Sequence, residues 1–250
     1  MYPNEIIFGI TLYDVFLCLG IISAVIVCDV FLSKRKVPEK VQSFYLISGG
    51  ISAIAGIFGA ELFQSFFNYL KFGEFELGGM TFYGGLIVGV ATFFLAEFLV
   101  GGLFFKENEH KKYFGDLIEV SPCCITLAHA LGRIGCLTAG CCHGGKTDGI
   151  FGVYMIVPDG EAGKYIPTQL YEAIFLLCLF FVLTYLFRKN KKINAVVYLL
   201  SYGAWRFFIE FFRADERGAL LPYLTPAQAI SLVLITVGFV LLALKRKKRG

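Results

Sequence analysis

Charge is scarce in this chain, and polar linker is missing. Only 17% of the 250 residues are Asp, Glu, Lys or Arg, against about 25% in ordinary soluble domains. No polar or low-complexity segment interrupts the sequence. Together these features exclude a soluble globular fold. C-x-x-C pairs are missing, and so is a C-x-x-C-H run, which removes the usual zinc spacing and covalent haem attachment. Internal repeats of the kind that build inverted-repeat transporters are missing too. The start of the chain has no basic stretch before its long apolar run and no small-residue cleavage motif after it. The first apolar segment is therefore expected to stay in the membrane.

Apolar sequence fills the space that charge leaves. Hydrophobic residues make up 57% of the chain and the mean hydropathy is +0.69. Seven runs are long enough to span a bilayer as helices, at roughly 6–32, 43–70, 79–105, 115–136, 169–187, 193–213 and 226–244. The fourth is the most polar, carrying Asp116, Glu119, His129 and Arg133. The expected fold is all-α: one polytopic membrane domain, residues 1–250. Its basic residues cluster in alternate connections: Lys34-Arg35-Lys36 to Lys40, Lys106 to Lys112, Arg188 to Lys192, and the tail Lys245 to Arg249. The other connections hold only Lys71, then Lys146 and Lys164, then Arg217. Positive charge marks the cytoplasmic side, so seven spans place the N-terminus outside and the C-terminus in the cytoplasm. The net charge of +4 follows from this topology. Scattered over separate loops without an aromatic binding face, it does not indicate nucleic acid.

Two arginines stand inside apolar sequence. Arg133 lies in His129-Ala-Leu-Gly-Arg-Ile-Gly-Cys136, and Arg206 opens Arg206-Phe-Phe-Ile-Glu-Phe-Phe-Arg213. A guanidinium stays charged at any relevant pH, and a charge at membrane depth is costly. Such groups face a polar cavity, and a natural anionic ligand there is a phospholipid head group. Arg206, Glu210 and Arg213 are spaced to share one helical face, and Tyr202 extends that stripe by one turn. His129 lies one turn before Arg133. Gly132 and Gly135 flank Arg133 and allow close approach of a backbone or ligand. The glycines through Gly140, Gly144 and Gly145 predict an irregular loop lining a cavity. Gly85 and Gly89 make a small-xxx-small pair suited to helix packing. Tyr83 suits an interfacial anchor or a hydroxyl turned into the cavity. Pro167 fits a helix start, and Gln169 and Glu172 share a face behind it. Asp14, Glu61, Glu97, Asp116 and Glu119 are further acids near the spans, some of them candidates to neutralise the arginines.

The eight cysteines fall into two groups. Cys18, Cys28, Cys123, Cys124 and Cys178 sit in apolar spans and are expected to pack as small hydrophobes. Cys136, Cys141 and Cys142 cluster where the fourth span leaves the membrane on the outer side. A disulfide from Cys136 to Cys141 or to Cys142 is open there. With His143 the cluster has zinc-ligand types, but adjacent cysteines are awkward for a compact site, so no metal is expected.

Four motifs, in order, resemble the bacterial prolipoprotein diacylglyceryl transferases: Gly78-Gly-Met-Thr-Phe-Tyr-Gly-Gly85, Leu131-Gly-Arg-Ile-Gly-Cys136, Pro167-Thr-Gln-Leu-Tyr-Glu172 and Tyr202-Gly-Ala-Trp-Arg-Phe-Phe-Ile-Glu-Phe-Phe-Arg213. The resemblance implies a multi-pass enzyme of the bacterial plasma (inner) membrane that needs no cofactor. It implies transfer of the diacylglyceryl group of phosphatidylglycerol to the lipobox cysteine of a lipoprotein precursor, with a thioether formed and glycerol phosphate released. By matching position it implies catalytic roles for Arg133, Arg206, Glu210, Tyr202 and Tyr83. Arg133, Arg206, Arg213, Gly84, Gly85, Gln169, Gly135 and Gly140 are the expected substrate-binding residues. Two positions depart from the family pattern. Tyr83 stands where the family often has histidine, and a phenol ionises only near pH 10. Cys136 and Cys141 stand where the family often has Asn and Glu. A different acceptor, a phospholipid-binding protein without catalysis, and a transporter are the rival expectations.

Overall fold

The computed structural model describes residues 9–73, 82–158, 161–213 and 224–247. In chain order these form α1 (Leu12–Lys34), α2 (Glu39–Phe72), α3 (Phe82–Leu95), a π-helical turn (Ala96–Val100), α4 (Gly101–Phe104), a 3-10 segment (Lys106–Tyr113) and α5 (Phe114–Ala139). There follow β1 (Val153–Ile156), β2 (Ala162–Tyr165), α6 (Thr168–Arg188), α7 (Asn194–Ile209), a 3-10 turn (Glu210–Phe212) and α8 (Pro226–Lys247). Seven helical stretches among the described residues are long and apolar enough to cross a membrane, and the shortest has 19 residues. At about 1.5 Å per residue it reaches about 28 Å, the thickness of a hydrocarbon core. Each coincides with one of the seven runs expected from hydropathy. The surfaces of these helices are apolar: Ile57, Phe58, Phe67, Leu99 and Phe181 are all exposed. This is the pattern of helices solvated by lipid.

The chain divides into two compact units, Met1–Cys28 with Ile118–Gly250, and Asp29–Leu117. In the smaller unit, α2 and α3 pack through glycines. A Cβ on Gly85 would lie 3.0 Å from the carbonyl oxygen of Gly56, and one on Gly89 would lie 3.2 Å from that of Ser52. The small-xxx-small reading of Gly85 and Gly89 is thus met by a partner helix with glycines of its own. Gly84 is tighter still: a Cβ there would fall 2.4 Å from Phe63 Cβ and 2.8 Å from the Gly59 carbonyl. Tyr83 lies in the first turn of α3, and its side chain is outside the described residues. Further along, the π-helical turn re-aims Glu97, which is buried together with His110. His110 Nε2 sits 3.0 Å from the Glu97 carbonyl and 3.6 Å from its carboxylate. Tyr45 donates a hydrogen bond to the His110 carbonyl at 2.6 Å.

In the larger unit, α1 begins with a side-chain cap. Asp14 accepts hydrogen bonds from the Thr11 backbone N–H at 2.9 Å and hydroxyl at 2.7 Å, filling donors that a helix start leaves open. Gly20 of α1 lies against α5, where an added Cβ would be 3.0 Å from the Ala128 carbonyl. Gly203 lets α7 approach α8, 3.1 Å from the Ser231 carbonyl by the same measure. At the other end, buried Asn194 starts α7 by donating its N–H to Glu119 at 2.7 Å, and Lys245 of α8 donates to the same carboxylate at 2.5 Å. Glu119 therefore neutralises a lysine, Glu97 faces His110 and Asp14 is held by Thr11.

A short antiparallel hairpin, β1 with β2, joins α5 to α6, pairing Val153 with Tyr165 and Ile156 with Ala162. Met155, Val157 and Tyr165 are buried beneath it. The all-α class stands, with this one ribbon added to it. Lys146 donates a hydrogen bond to Glu161, and the Tyr165 hydroxyl donates to the same carboxylate at 3.2 Å. The Lys146 contact comes first among the causes that hold the Glu161 carboxyl below its ordinary range, and the reciprocal contact raises the Lys146 ammonium.

Candidate active site

The polar centre of the larger unit is built on α5, α6 and α7. Glu172 of α6 is fully buried, at 0% exposure. Its Oε2 lies 2.9 Å from Arg133 Nε, and its Oε1 lies 3.7 Å from His129 Nε2. The Tyr202 hydroxyl donates to Oε1 at 3.4 Å. His129 and Arg133 are one turn apart on α5, so both reach the same acid. The His129 ring packs edge-on against Tyr202 at 5.4 Å, and Tyr202 stacks on Tyr198 at 5.5 Å. The charges of Arg206 and Arg213 also act on Glu172. A single buried carboxylate thus faces a group of cations. The spacing of Gln169 and Glu172 predicts only a shared face; it does not reveal that Glu172 is the counter-ion of Arg133.

The second ion pair matches the sequence reading directly. Arg206 Nη2 is 2.9 Å from Glu210 Oε2, and both residues are buried. Thr225 donates to Glu210 Oε1 at 3.1 Å. Thr225 is also the N-cap of α8: its hydroxyl accepts from the Gln228 N–H at 3.2 Å, and the Gln228 side chain accepts from the Thr225 N–H at 3.1 Å. This is a capping box, legible in Thr225-Pro-Ala-Gln228. It ties the start of α8 to the carboxylate that holds Arg206. Arg206 Nη1 is buried and has no hydrogen-bond partner among the described residues.

The single-face reading of Arg206, Glu210 and Arg213 needs a correction at its end. α7 stops at Ile209, Glu210–Phe212 forms a tighter 3-10 turn, and Arg213 is extended at φ −80°, ψ 143°. The 3.6-residue period fails before Arg213 is reached. Arg213 pairs instead with Gly144 in an isolated antiparallel bridge, and the Gly145 N–H donates to the Phe212 carbonyl at 3.2 Å.

The glycine-rich loop begins later than its composition implies, because α5 runs on through Gly135 to Ala139. Gly135 accommodates α1: a Cβ there would lie 3.2 Å from the Tyr13 ring and 3.3 Å from Phe16. Gly140 turns the chain at φ 72°, where a side chain would collide with the Ile156 carbonyl at 2.2 Å. Cys142 is also left-handed, at φ 62°. Its carbonyl accepts from Thr168 at 2.8 Å, and Gln169, fully buried, donates to Met155 Sδ at 3.9 Å. Gln169 Oε1 has no hydrogen-bond partner among the described residues. The loop, the hairpin and the start of α6 are therefore one connected wall. None of the eight cysteines is in a disulfide. Cys123 and Cys124 are buried as expected, whereas Cys18 and Cys178 are exposed on apolar helices rather than packed inside.

Residues 4–244 match the prolipoprotein diacylglyceryl transferase family. The chain belongs to this family. A phosphatidylglycerol–prolipoprotein diacylglyceryl transferase of Clostridium tetani (strain Massachusetts / E88) is 32% identical, covering 97% of each chain. Another of Clostridioides difficile (strain 630) is 33% identical over 76% of this chain and 73% of its own. The second such transferase of Clostridium perfringens (strain 13 / Type A) is 28% identical over 97% of this chain and 94% of its own. With seven membrane-length helices, this diacylglyceryl transferase family member is a multi-pass protein of the bacterial inner membrane.

Proposed function

We propose that the chain transfers the diacylglyceryl group of phosphatidylglycerol to the lipobox cysteine thiol of a prolipoprotein. Relatives matching almost end to end carry that activity in their names. In the reaction a thiolate attacks the diacylglycerol carbon that bears the phosphate ester oxygen. A C–S bond forms, the C–O bond breaks, and glycerol phosphate leaves as the thiol proton is released. There is little for the protein to do covalently. Its work is to hold a charged lipid head in apolar surroundings and to stabilise the negative charge that grows on the departing phosphate.

The observation that carries this reading is a pair of arginines amid apolar sequence, Arg206 buried and Arg133 nearly so, each in an ion pair with its own acid. Glu172 lies against Arg133 Nε and Glu210 against Arg206 Nη2, at 2.9 Å in both cases. The ion pairs keep each guanidinium near one position, and a group already partly ordered loses less freedom when it binds an anion bidentately. Arg206 Nη1 is still without a protein acceptor among the described residues, and a phosphate oxygen would satisfy it. In this reading Arg133 and Arg206 bind the phosphate and Arg213 supports them. Tyr202 sets the orientation of Glu172. Gln169, Gly135 and Gly140 shape the wall. Residues 1–250 work as one transferase domain. With the N-terminus outside and the C-terminus in the cytoplasm, as the basic connections predict, α5 ends on the outer side, and transfer occurs toward that face.

The test is reconstitution in phosphatidylglycerol vesicles with a lipobox peptide. A mass gain of one diacylglyceryl group on the peptide cysteine, with stoichiometric glycerol phosphate, is expected. A folded, lipid-loaded protein that leaves the peptide unmodified, and that fails to rescue cells depleted of their own lipoprotein transferase, would overturn the proposal.

A further inference from the structure

Cys136, Cys141 and Cys142 bring their three sulfur atoms within 4.8 Å of one another. Sequence spacing argues against such a site, because adjacent cysteines normally point apart. The chain overcomes this with two left-handed residues. Cys136 lies in the last turn of α5, Gly140 reverses the backbone at φ 72°, and Cys142 turns again at φ 62°. The Cys141 N–H donates back to the Cys136 carbonyl at 3.2 Å, and its thiol approaches the same oxygen at 3.7 Å. The segment is braced from outside as well. Thr168 holds the Cys142 carbonyl at 2.8 Å, and Gly144 donates to the Ile166 carbonyl at 2.8 Å. A left-handed non-glycine residue is strained, and here it persists under several hydrogen bonds.

We propose that this cluster is a cation site: three thiolates holding one soft d10 metal ion such as Zn²⁺ or Cu⁺. With metal–sulfur bonds of about 2.3 Å, tetrahedral geometry puts the sulfurs about 3.8 Å apart. A contraction of about 1 Å or less, well within rotamer adjustment, is therefore enough to close the site. Thiolate sulfur selects soft ions over Mg²⁺ or Ca²⁺. Binding transfers the thiol protons to solvent and leaves a net negative complex. Two cations offset it, because the charges of Arg213 and Arg133 act on Cys142 and that of Arg133 acts also on Cys136. His143 takes no part: its Nδ1 contacts the Gly144 carbonyl at 2.8 Å and its ring packs on Tyr165 at 4.6 Å. The fourth position of a Zn²⁺ site falls to water, while Cu⁺ is satisfied by three sulfurs. The site feels the charges of Arg133 and Arg213 but uses neither Glu172 nor Glu210, the acids of the two ion pairs.

The test uses the full-length protein in detergent, reduced and freed of metal, titrated with Cd²⁺ and then competed with Zn²⁺. One equivalent of Cd²⁺ should give a thiolate-to-metal charge-transfer band. Cys141→Ser and Cys136→Ser should each lower that band by about a third and weaken binding at least tenfold. Cys18→Ser with Cys178→Ser, both on exposed helical positions, should leave it unchanged. On the unmutated protein, loading with Zn²⁺ should protect Cys136, Cys141 and Cys142 together from maleimide, residue by residue in a mass spectrum. The proposal is overturned if no band forms, if the band survives loss of these cysteines, or if protection is confined to other thiols. A disulfide in the isolated protein that re-forms at once in air and never yields to metal after reduction would overturn it equally.

Discussion

Glu172→Gln isolates the charge at the centre of the proposed site with almost no change of shape. In the native protein Glu172 has 0% exposure, and its carboxylate is 2.9 Å from Arg133 Nε. At that separation and an effective dielectric of about 20, the attraction is about 6 kcal/mol. Desolvation of both partners offsets part of it, and breaking a buried pair on one side costs about 3–5 kcal/mol because the other charge is left uncompensated. The amide also disturbs the Tyr202 hydroxyl, which donates to Oε1 at 3.4 Å. The substitution should lower stability in neutral detergent by about 3 kcal/mol, read from denaturant or thermal unfolding. Phosphatidylglycerol should restore a good part of that loss, because its phosphate becomes the counter-ion that Arg133 lacks. A neutral or zwitterionic lipid should restore less. Turnover in vesicles should fall about a hundredfold through misplacement of the guanidinium. If Glu172→Gln unfolds within about 0.5 kcal/mol of the parent and transfers lipid at the parent rate, the pair is a bystander and the reasoning fails.

Three other outcomes are expected. Gly84→Ala should destabilise the α2–α3 seam by about 1–3 kcal/mol, because its Cβ would meet the Phe63 side chain and the Gly59 backbone; a lowered unfolding midpoint checks this. Thr225→Val should lose the α8 cap at about 1 kcal/mol and, by releasing Glu210, raise KM for phosphatidylglycerol more than Thr225→Ser does. The hairpin should open in acid. Contact with Lys146 holds Glu161 below its ordinary pKa. Its stabilisation is therefore complete above the unfolded value, near 4.3, and is lost as pH falls through the lower folded value. Lys146 is raised, so its share is lost only when pH climbs past about 10.4 and through the folded value. Proteolysis of the 146–166 segment should accelerate at both extremes, and Glu161→Gln should abolish the acid limb.

Hydropathy makes the seven spans legible because lipid demands long unbroken apolar helices, and each described span falls on its expected run. The intramembrane arginines are legible for the same reason: a permanent charge amid apolar sequence has few explanations. Their partners are harder to read. Glu210 is one turn from Arg206 and visible by spacing, but Glu172 comes from a different helix, 39 positions from Arg133 by their numbers, and only packing brings them together. Period also misleads at Arg213, where the helix tightens and then ends, as the Glu210–Phe212 turn shows. The three outer cysteines are visible as a group in the sequence, but the closeness of their sulfurs is not, because spacing rules assume ordinary backbone and positive φ at Gly140 and Cys142 breaks that assumption. Thr225 is the reverse case: its capping-box signature is plain in the sequence, and only the contact with Glu210 gives it weight.

The decisive measurement is kcat/KM for diacylglyceryl transfer to a lipobox peptide by Arg133→Ala and Arg206→Ala proteins shown to be folded, in phosphatidylglycerol vesicles. Each should fall by about a hundredfold or more, the usual loss when a group that stabilises developing charge is removed. Rates within about threefold of the parent, a difference under about 0.7 kcal/mol, would contradict the claim that these two guanidiniums hold the phosphate that departs.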